Sequence, residues 1–452
     1  MGEPITCFKA YDVRGRVPGD LNPGVAYRIG RAFAEELDAR RVAVGRDVRL
    51  TSPELIQGLA AGLEDGGAEV HDIGLGGTEM IYFATFHYGM DGGIMVTASH
   101  NPMDYNGLKL VREEARPISG DSGLREIQER ADALTAPTTF EPEPRTLNVL
   151  PDYVAHLLGY LDNADALRPL RIVTDAGNGG AGPVIDALEP HLPFQLIKIH
   201  HEPDGHFPNG IPNPLLPENR EATARAVREY GADLGIAWDG DFDRCFLFTE
   251  DGTFVEGYYL IGLLAQSFLR KQAGERIIHE PRLTWNTIET VRRGGGTPVQ
   301  SKTGHAFMKE SMRRVDAVYG GEMSGHHFFR RFGYCDSGMI PWLLVTELMS
   351  VAGKPLSQLV AEQQAAYPCS GEINFEVGDP HAVMEALVTA YEDEYPAVDR
   401  TDGVSVELDR WRFNLRPSNT EPLLRLNVET RADEALLREK VEELSRLIRE
   451  NG

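Results

Sequence analysis

Short apolar runs recur along the chain, each broken by a turn signal and followed by a stretch with helical spacing. Residues 42–45, 172–174 and 277–279 read as buried strands, and each is answered by a second strand, at 70–73, 195–199 and 297–300. Between the first pair, Leu55, Ile56, Leu59 and Leu63 share one helix face. That spacing predicts a helix over 52–65, with Ser52 as its cap and Pro53 in its first turn. Three such units predict three similar α/β domains with right-handed parallel crossovers. After residue 371 the pattern changes: 405–408, 411–415 and 424–429 read as strands of a small sheet. A helix from Ala432 then carries Leu436, Leu437, Val441, Leu444 and Leu447 as a core-facing stripe.

The expected fold class is α/β in four domains. Three similar mixed α/β sheet domains cover residues 1–145, 146–256 and 257–367, and a smaller C-terminal α+β domain covers 368–452. The Pro/Thr-rich stretch 135–144 supplies the first boundary, and the second follows the Asp251-Gly252 hairpin turn. The third, Tyr367-Pro368-Cys369-Ser370-Gly371, also reads as a hinge.

Charge narrows the partners. Lys and Arg number 45 against 69 Asp and Glu, a net charge of −24, which disfavours nucleic acid and anionic membrane. An anionic small molecule would then need a local basic pocket. Cys7, Cys245, Cys335 and Cys369 form no CxxC pair, and there is neither an N-terminal apolar signal nor an 18-residue apolar run. Reduced thiols in a soluble, cytoplasmic protein are expected. Oligomeric state is not legible.

Four segments carry candidate chemistry. Thr97-Ala98-Ser99-His100-Asn101-Pro102 follows the apolar strand 94–96, so Ser99 falls at a sharp turn on a strand end. Asp239-Gly240-Asp241-Phe242-Asp243-Arg244 sets three carboxylates at alternate positions, a natural site for a hard divalent cation. A calcium EF-hand loop is excluded, because its sixth position would be Arg244 instead of glycine and strand-like segments flank it. Gly321-Glu322-Met323-Ser324-Gly325-His326 offers a carboxylate and a hydroxyl suited to sugar hydroxyls. Arg416-Pro417-Ser418-Asn419-Thr420-Glu421-Pro422 offers a guanidinium, hydroxyls and an amide suited to phosphate.

In this order and spacing, these segments resemble the α-D-phosphohexomutases, with Tyr11-Asp12-Val13-Arg14-Gly15 and Lys302-Thr303-Gly304-His305 as further matches, over about residues 7–430. Stretches 7–15 and 334–342 are most similar to the bacterial branch that acts on mannose phosphates. The resemblance implies reversible phosphate transfer between the 6- and 1-oxygens of a hexose, with small-molecule hexose phosphates as partners. Phosphorylated Ser99 would be the carrier, and hexose 1,6-bisphosphate both intermediate and activator. It also implies one Mg²⁺ per active site, held by Asp239, Asp241, Asp243 and an oxygen on Ser99. Arg14 and Arg244 would contact the phosphoryl group, and Lys109, His326 and His100 are the candidates for proton transfer or for shaping the loop. Lysine acts as a base only where a crowded cationic site lowers its pKa. Tyr11, Arg282, His305, Glu322 and Ser324 would contact the sugar or its phosphate, and Arg416, Ser418, Asn419 and Thr420 the distant phosphate. Glucose phosphates, amino-sugar phosphates, a phosphatase reaction and a non-catalytic phosphosugar-binding regulator are the alternatives.

Overall fold

The computed structural model describes residues 4–120, 122–162, 164–394, 396–417 and 423–452. The chain forms two compact units, one from the residues up to Phe254 with Ser324–Gly353, the other from Val255–Met323 with Lys354–Gly452.

The first unit holds two sheets. One has six strands in the order Val13–Arg16, Tyr105–Arg112, Gly92–Val96, Arg41–Arg46, Glu69–Leu75 and Arg145–Thr146. Arg41–Arg46 lies parallel to both Gly92–Val96 and Glu69–Leu75, whereas Tyr105–Arg112 returns antiparallel and sets Lys109 opposite Met95. Strand Gly92–Val96 is wholly buried, and its Ile94 and Val96 join Phe33, Val44, Leu55 and Leu59 in one core. Burying each such side chain contributes about 1.5–3 kcal/mol.

The helix Ser52–Asp65 forms where its apolar face predicts, but its cap is Thr51, which makes no side-chain cap bond. Ser52 is drawn elsewhere: its hydroxyl donates to Asp47 Oδ1 at 2.6 Å. Asn106 Nδ2 donates to the same hydroxyl at 2.9 Å.

The second sheet runs Cys245–Phe248, Leu234–Trp238, Arg171–Asp175, Gln195–Ile199. Only Cys245–Phe248 is antiparallel, with Cys245 opposite Trp238, so residues 239–244 are the connection of a hairpin at a sheet edge. Helix Met339–Ala352 follows the antiparallel pair His327–Phe329 and Cys335–Asp336, and nearly every side chain in its first three turns is buried.

In the second unit, Arg276–His279 lies between Thr297–Gln300 and Tyr319–Gly321, parallel to both. An antiparallel sheet follows, ordered Cys369–Glu376, Leu423–Thr430, Trp411–Pro417, Val404–Glu407, Ala397–Asp399. Helix Glu434–Asn451 packs Leu444 and Ile448 against Phe413, Leu424 and Val428. It starts two residues later than expected, because Ala432 takes a left-handed φ of +50° and Asp433 caps the Leu436 N–H at 2.9 Å. The stretch 367–371, expected to act as a hinge, is held by hydrogen bonds on both sides in this conformation. Tyr259 Oη donates to the Tyr367 carbonyl and the Thr430 N–H to the Pro368 carbonyl, both at 3.0 Å, while Cys369 pairs with Glu429. Among the described residues no helix is long and apolar enough to cross a membrane.

Candidate active site

Strand Gly92–Val96 ends before the Asn101-Pro102 pair, because the loop closes on itself: Thr97 Oγ1 accepts the Ser99 N–H at 2.9 Å. Ser99 adopts φ +48°, a conformation costing about 1–3 kcal/mol in a non-glycine residue and kept only where the surroundings enforce it. Two arginines do so. Arg14 donates to the Ala98 carbonyl at 2.8 Å and to the Asn101 side chain, and is oriented by Asp12 at 2.9 Å. Arg49, absent from the sequence-based candidates, donates to the carbonyls of Ser99 (3.0 Å), Asn101 (2.5 Å), Pro102 (2.8 Å) and Tyr105 (2.9 Å).

The acidic hairpin meets this loop. Ser99 Oγ donates to Asp239 Oδ2 at 2.8 Å, across 140 residues of chain. The approach depends on Gly240, where a Cβ would stand 2.8 Å from the Ser99 carbonyl oxygen. Asp241 is anchored by the Thr78 hydroxyl and backbone N–H, at the start of helix Thr78–His87. Ligand oxygens of Asp239, Asp241 and Asp243 lie within 4.8 Å of one another, all three residues buried. One carboxylate oxygen of each, Oδ1, is buried without a hydrogen-bond partner. Converging, undersatisfied, hard oxygen donors are what a divalent cation needs, so these residues fit one.

Charge around the triplet is shared unequally. Burial and Asp243 push the Asp239 carboxyl above its ordinary range; burial acts the same way on Asp243, but Lys109 and His326 outweigh it and hold that carboxyl low. Lys109 Nζ donates to Asp241 at 2.7 Å and Asp243 at 2.5 Å. Burial opposes its charge, yet the two carboxylates win and its pKa lies above that of a free lysine. The lowered pKa that a basic Lys109 requires is therefore not present in this arrangement: its nearest charges are anions, not cations.

His326 lies beside Asp243 (3.6 Å) and Asp336 (3.8 Å), with Ser324 Oγ 3.2 Å from its other ring nitrogen. Burial and Arg244 disfavour its charge, but the two carboxylates outweigh them and raise its pKa. His100 goes the other way: burial, Arg244 and Arg14 hold it well below the ordinary imidazole value. Arg244 Nη2 lies 2.9 Å from His100 Nδ1 and donates to it, so the neutral ring carries its proton on Nε2. The same nitrogen is 3.0 Å from Ser99 Oγ.

The remaining candidates lie elsewhere. Tyr11 is half-buried in the bend before Val13–Arg16. In the second unit, Arg282 donates to Glu280 (2.7 Å) and Glu372 (2.9 Å). Arg416 lies 3.6 Å from Asp402 and 4.0 Å from Glu372, and Arg425 lies 3.6 Å from Glu372. Three guanidiniums thus gather around Glu372, and burial beside Arg282 disfavours the charge on Arg416. Such a group is suited to an anion. Glu322 Oε1 accepts the Gly304 N–H at 2.6 Å, just before His305 opens helix His305–Val315. Ser418, Asn419 and Thr420 lie outside the described residues. Arg49, Asp47, Thr78, Glu280, Asp336, Glu372 and Arg425 escaped sequence reasoning. For the six charged ones the only signal was charge in apolar surroundings, as in Arg46-Asp47-Val48-Arg49, and Thr78 carried no charge to mark it.

Comparison with known proteins bears on the whole chain. Families described as phosphoglucomutase/phosphomannomutase match it in four parts: alpha/beta/alpha domain I at residues 6–137, domain II at 151–252, domain III at 256–367 and the C-terminal domain at 372–447. The chain is 59% identical to an Escherichia coli phosphomannomutase, covering 98% of the chain and 99% of the relative. It is equally similar, at 59% with the same coverage, to a protein named phosphohexose mutases from Xanthomonas campestris pv. campestris. Its fold is similar to the crystal structure of a phosphoglucomutase/phosphomannomutase family protein from Burkholderia thailandensis, with TM-score 0.87, 33% identity, and coverage of 100% and 98%.

Proposed function

The chain belongs to the phosphoglucomutase/phosphomannomutase family, and we propose that it is a phosphomannomutase, interconverting mannose 6-phosphate and mannose 1-phosphate through a phosphoserine at Ser99. A hexose 1,6-bisphosphate is the intermediate and, added in trace, the activator. The observation that carries this reading is the approach of Ser99 Oγ to 2.8 Å from Asp239, inside a buried triplet of aspartates.

In the forward direction the phosphoryl group leaves Ser99 for a sugar hydroxyl. The P–Oγ bond breaks, the new P–O bond forms, and the proton given up by the sugar hydroxyl is passed on to Ser99 Oγ, so that no proton is gained or lost overall. Arg14 and Asn101 fix the loop, and Arg244, which donates to His100 next to Ser99, would contact the equatorial oxygens of the phosphoryl group. Lys109 and His326 are the proton carriers. Both lie beside Asp243, whose carboxylate favours their charged forms and so suits them to deliver a proton to the oxygen that loses the phosphoryl group. A divalent cation, Mg²⁺ by the hardness of its donors, would be held by Asp239, Asp241 and Asp243 and would neutralise charge on the phosphoryl group. Arg282, Arg416, Ser418, Asn419 and Thr420 bind the phosphate distant from Ser99, and Tyr11, His305, Glu322 and Ser324 the sugar. Mannose and glucose share the 3- and 4-hydroxyls that Glu322 and Ser324 read, so glucose phosphates are accepted too. Four free cysteines suit a cytoplasmic setting.

The test compares mannose 1-phosphate, glucose 1-phosphate and glucosamine 1-phosphate with purified protein, alongside Ser99→Ala. Isomerised hexose phosphate from the first two, and a phosphorylated protein mass that Ser99→Ala lacks, are expected. Release of inorganic phosphate alone, or full turnover by Ser99→Ala, would refute the reading.

A further inference from the structure

Arg49 is 2% exposed, yet it is neither a ligand of the aspartate triplet nor directed at it. Its two terminal nitrogens are consumed by four main-chain carbonyls of the serine loop, those of Ser99, Asn101, Pro102 and Tyr105. Asp47 neutralises it from behind, with Nε 3.4 Å from Oδ2, and Asp47 is itself held by the Arg49 N–H (2.9 Å) and the Ser52 hydroxyl (2.6 Å). The ring of Phe207 lies over the guanidinium, its centroid 5.6 Å from Cζ. Phe207 arrives on the long segment between strand Gln195–Ile199 and the turn at Pro217–Asn219, which approaches Val48 so closely that a Cβ on Gly205 would meet the Val48 carbonyl at 2.1 Å.

Burying a charged pair costs several kcal/mol of desolvation per ion, and apolar packing could close a loop with less. What the guanidinium adds is direction, because its donors lie in one plane at fixed angles. With four carbonyls drawn to one side, the Ser99 side chain is left facing Asp239. The loop has to keep that orientation in two chemical states, a neutral hydroxyl and a phosphoserine carrying about −1.5 to −2 charges. Arg49 can serve both because it grips the backbone and not the oxygen that changes.

We infer that Arg49, braced by Asp47 and covered by Phe207, is a positioning residue for phosphoryl transfer at Ser99; the inference rests on the phosphoserine reading above. Lysine at this position keeps the charge, but the three donors of its single ammonium cannot serve four carbonyls. Misplacement of a reacting group by about 1 Å costs on the order of a hundredfold in rate.

The experiment loads wild type, Arg49→Lys and Phe207→Leu with phosphate from glucose 1,6-bisphosphate, mixes each with mannose 1-phosphate in a single turnover, and follows the phosphoprotein by intact mass. For Arg49→Lys the rate of loss should fall about a hundredfold while the fraction of molecules that transfer stays as in wild type, with KM within about threefold. A purely structural defect does the reverse, lowering the transferring fraction in step with the folded fraction and leaving the rate unchanged. That result, or an unchanged rate and fraction, overturns the inference. Should Arg49→Lys fail to fold, Phe207→Leu decides, since it leaves every loop hydrogen bond in place. A three- to tenfold slower transfer at full amplitude supports positioning, and an unchanged rate overturns it. Wild type and Ser99→Ala run in parallel separate the two levels. If wild type never carries phosphate on Ser99, the phosphoserine reading falls and takes this inference with it; if wild type transfers normally, only the role of Arg49 is at stake.

Discussion

Changing Asp241 to asparagine should cost about a hundredfold or more in turnover while leaving the fold almost untouched. Its Oδ2 lies 2.7 Å from Lys109 Nζ, and its ligand oxygen lies no more than 4.8 Å from those of Asp239 and Asp243. At an effective dielectric constant of about 20, the attraction is worth about 6 kcal/mol and each repulsion at least about 3.5 kcal/mol. The two repulsions together slightly exceed the attraction, so a neutral side chain is expected to hold stability within about 1–2 kcal/mol of the parent. Asparagine keeps an acceptor for Thr78 and Lys109 but turns an N–H toward the other carboxylates, where a cation would need an anionic oxygen. The measurement is thermal unfolding of chelator-stripped protein with and without Mg²⁺, together with turnover. Wild type should gain about 2.7 kcal/mol at a Mg²⁺ concentration a hundredfold above its Kd. Asp241→Asn should start from a similar midpoint, gain little at the same concentration, and lose about a hundredfold or more in turnover. A large drop in the metal-free midpoint would show that Asp241 is needed for the fold. An undiminished Mg²⁺ response would show that the triplet is not the cation site.

Three further outcomes are expected. Gly240→Ala sets a Cβ 2.8 Å from the Ser99 carbonyl oxygen and should cost about 1–3 kcal/mol and ten- to a hundredfold in kcat; parental kcat would mean that the two loops need not meet this closely. Arg416→Ala should weaken mannose 1-phosphate and mannose 6-phosphate alike, by about ten- to a hundredfold, and make turnover depend on added hexose bisphosphate. Loss for one isomer alone would speak against a shared anchor. His156 sits among Phe83, Phe86 and Phe332, and burial and Arg331 lower its pKa to about 4. The unfolded chain therefore takes up a proton first as pH falls, and stability is lost between about pH 6.5 and 4. His156→Phe should flatten that part of the stability profile, and identical acid profiles would contradict the assignment.

Strands betrayed themselves wherever both faces were buried, as at Gly92–Val96 and Leu234–Trp238, because a run of apolar residues has few other uses. Ser99 and the three aspartates were legible because their chemistry lies in contiguous segments. The partners that orient them were not. Asp47 with Arg49, and Glu79 with the Gly338 N–H 259 residues away, act through contacts that no local pattern announces. The same limit explains Ser52, which fits a cap by local rules until Asp47 competes for its hydroxyl. It also explains Lys109, whose electrostatics are set by two carboxylates more than 130 residues distant in the chain.

The discontinuity of the first unit bears on how the protein is made. That unit lacks Ser324–Gly353 until the intervening stretch, which belongs to the other unit, has been synthesised. At about 5–20 residues per second, the stretch from residue 254 to residue 353 occupies the ribosome for roughly 5–20 s. Throughout that interval the indole N–H of Trp238 has no Gly338 carbonyl to meet at 2.9 Å, and the side chains that cover Met339, Ile340 and Trp342 remain open to water. A nascent chain of about 254 residues is thus an obligate waiting state with an exposed apolar face. Its protection until the returning helix docks falls to whatever attends the emerging polypeptide.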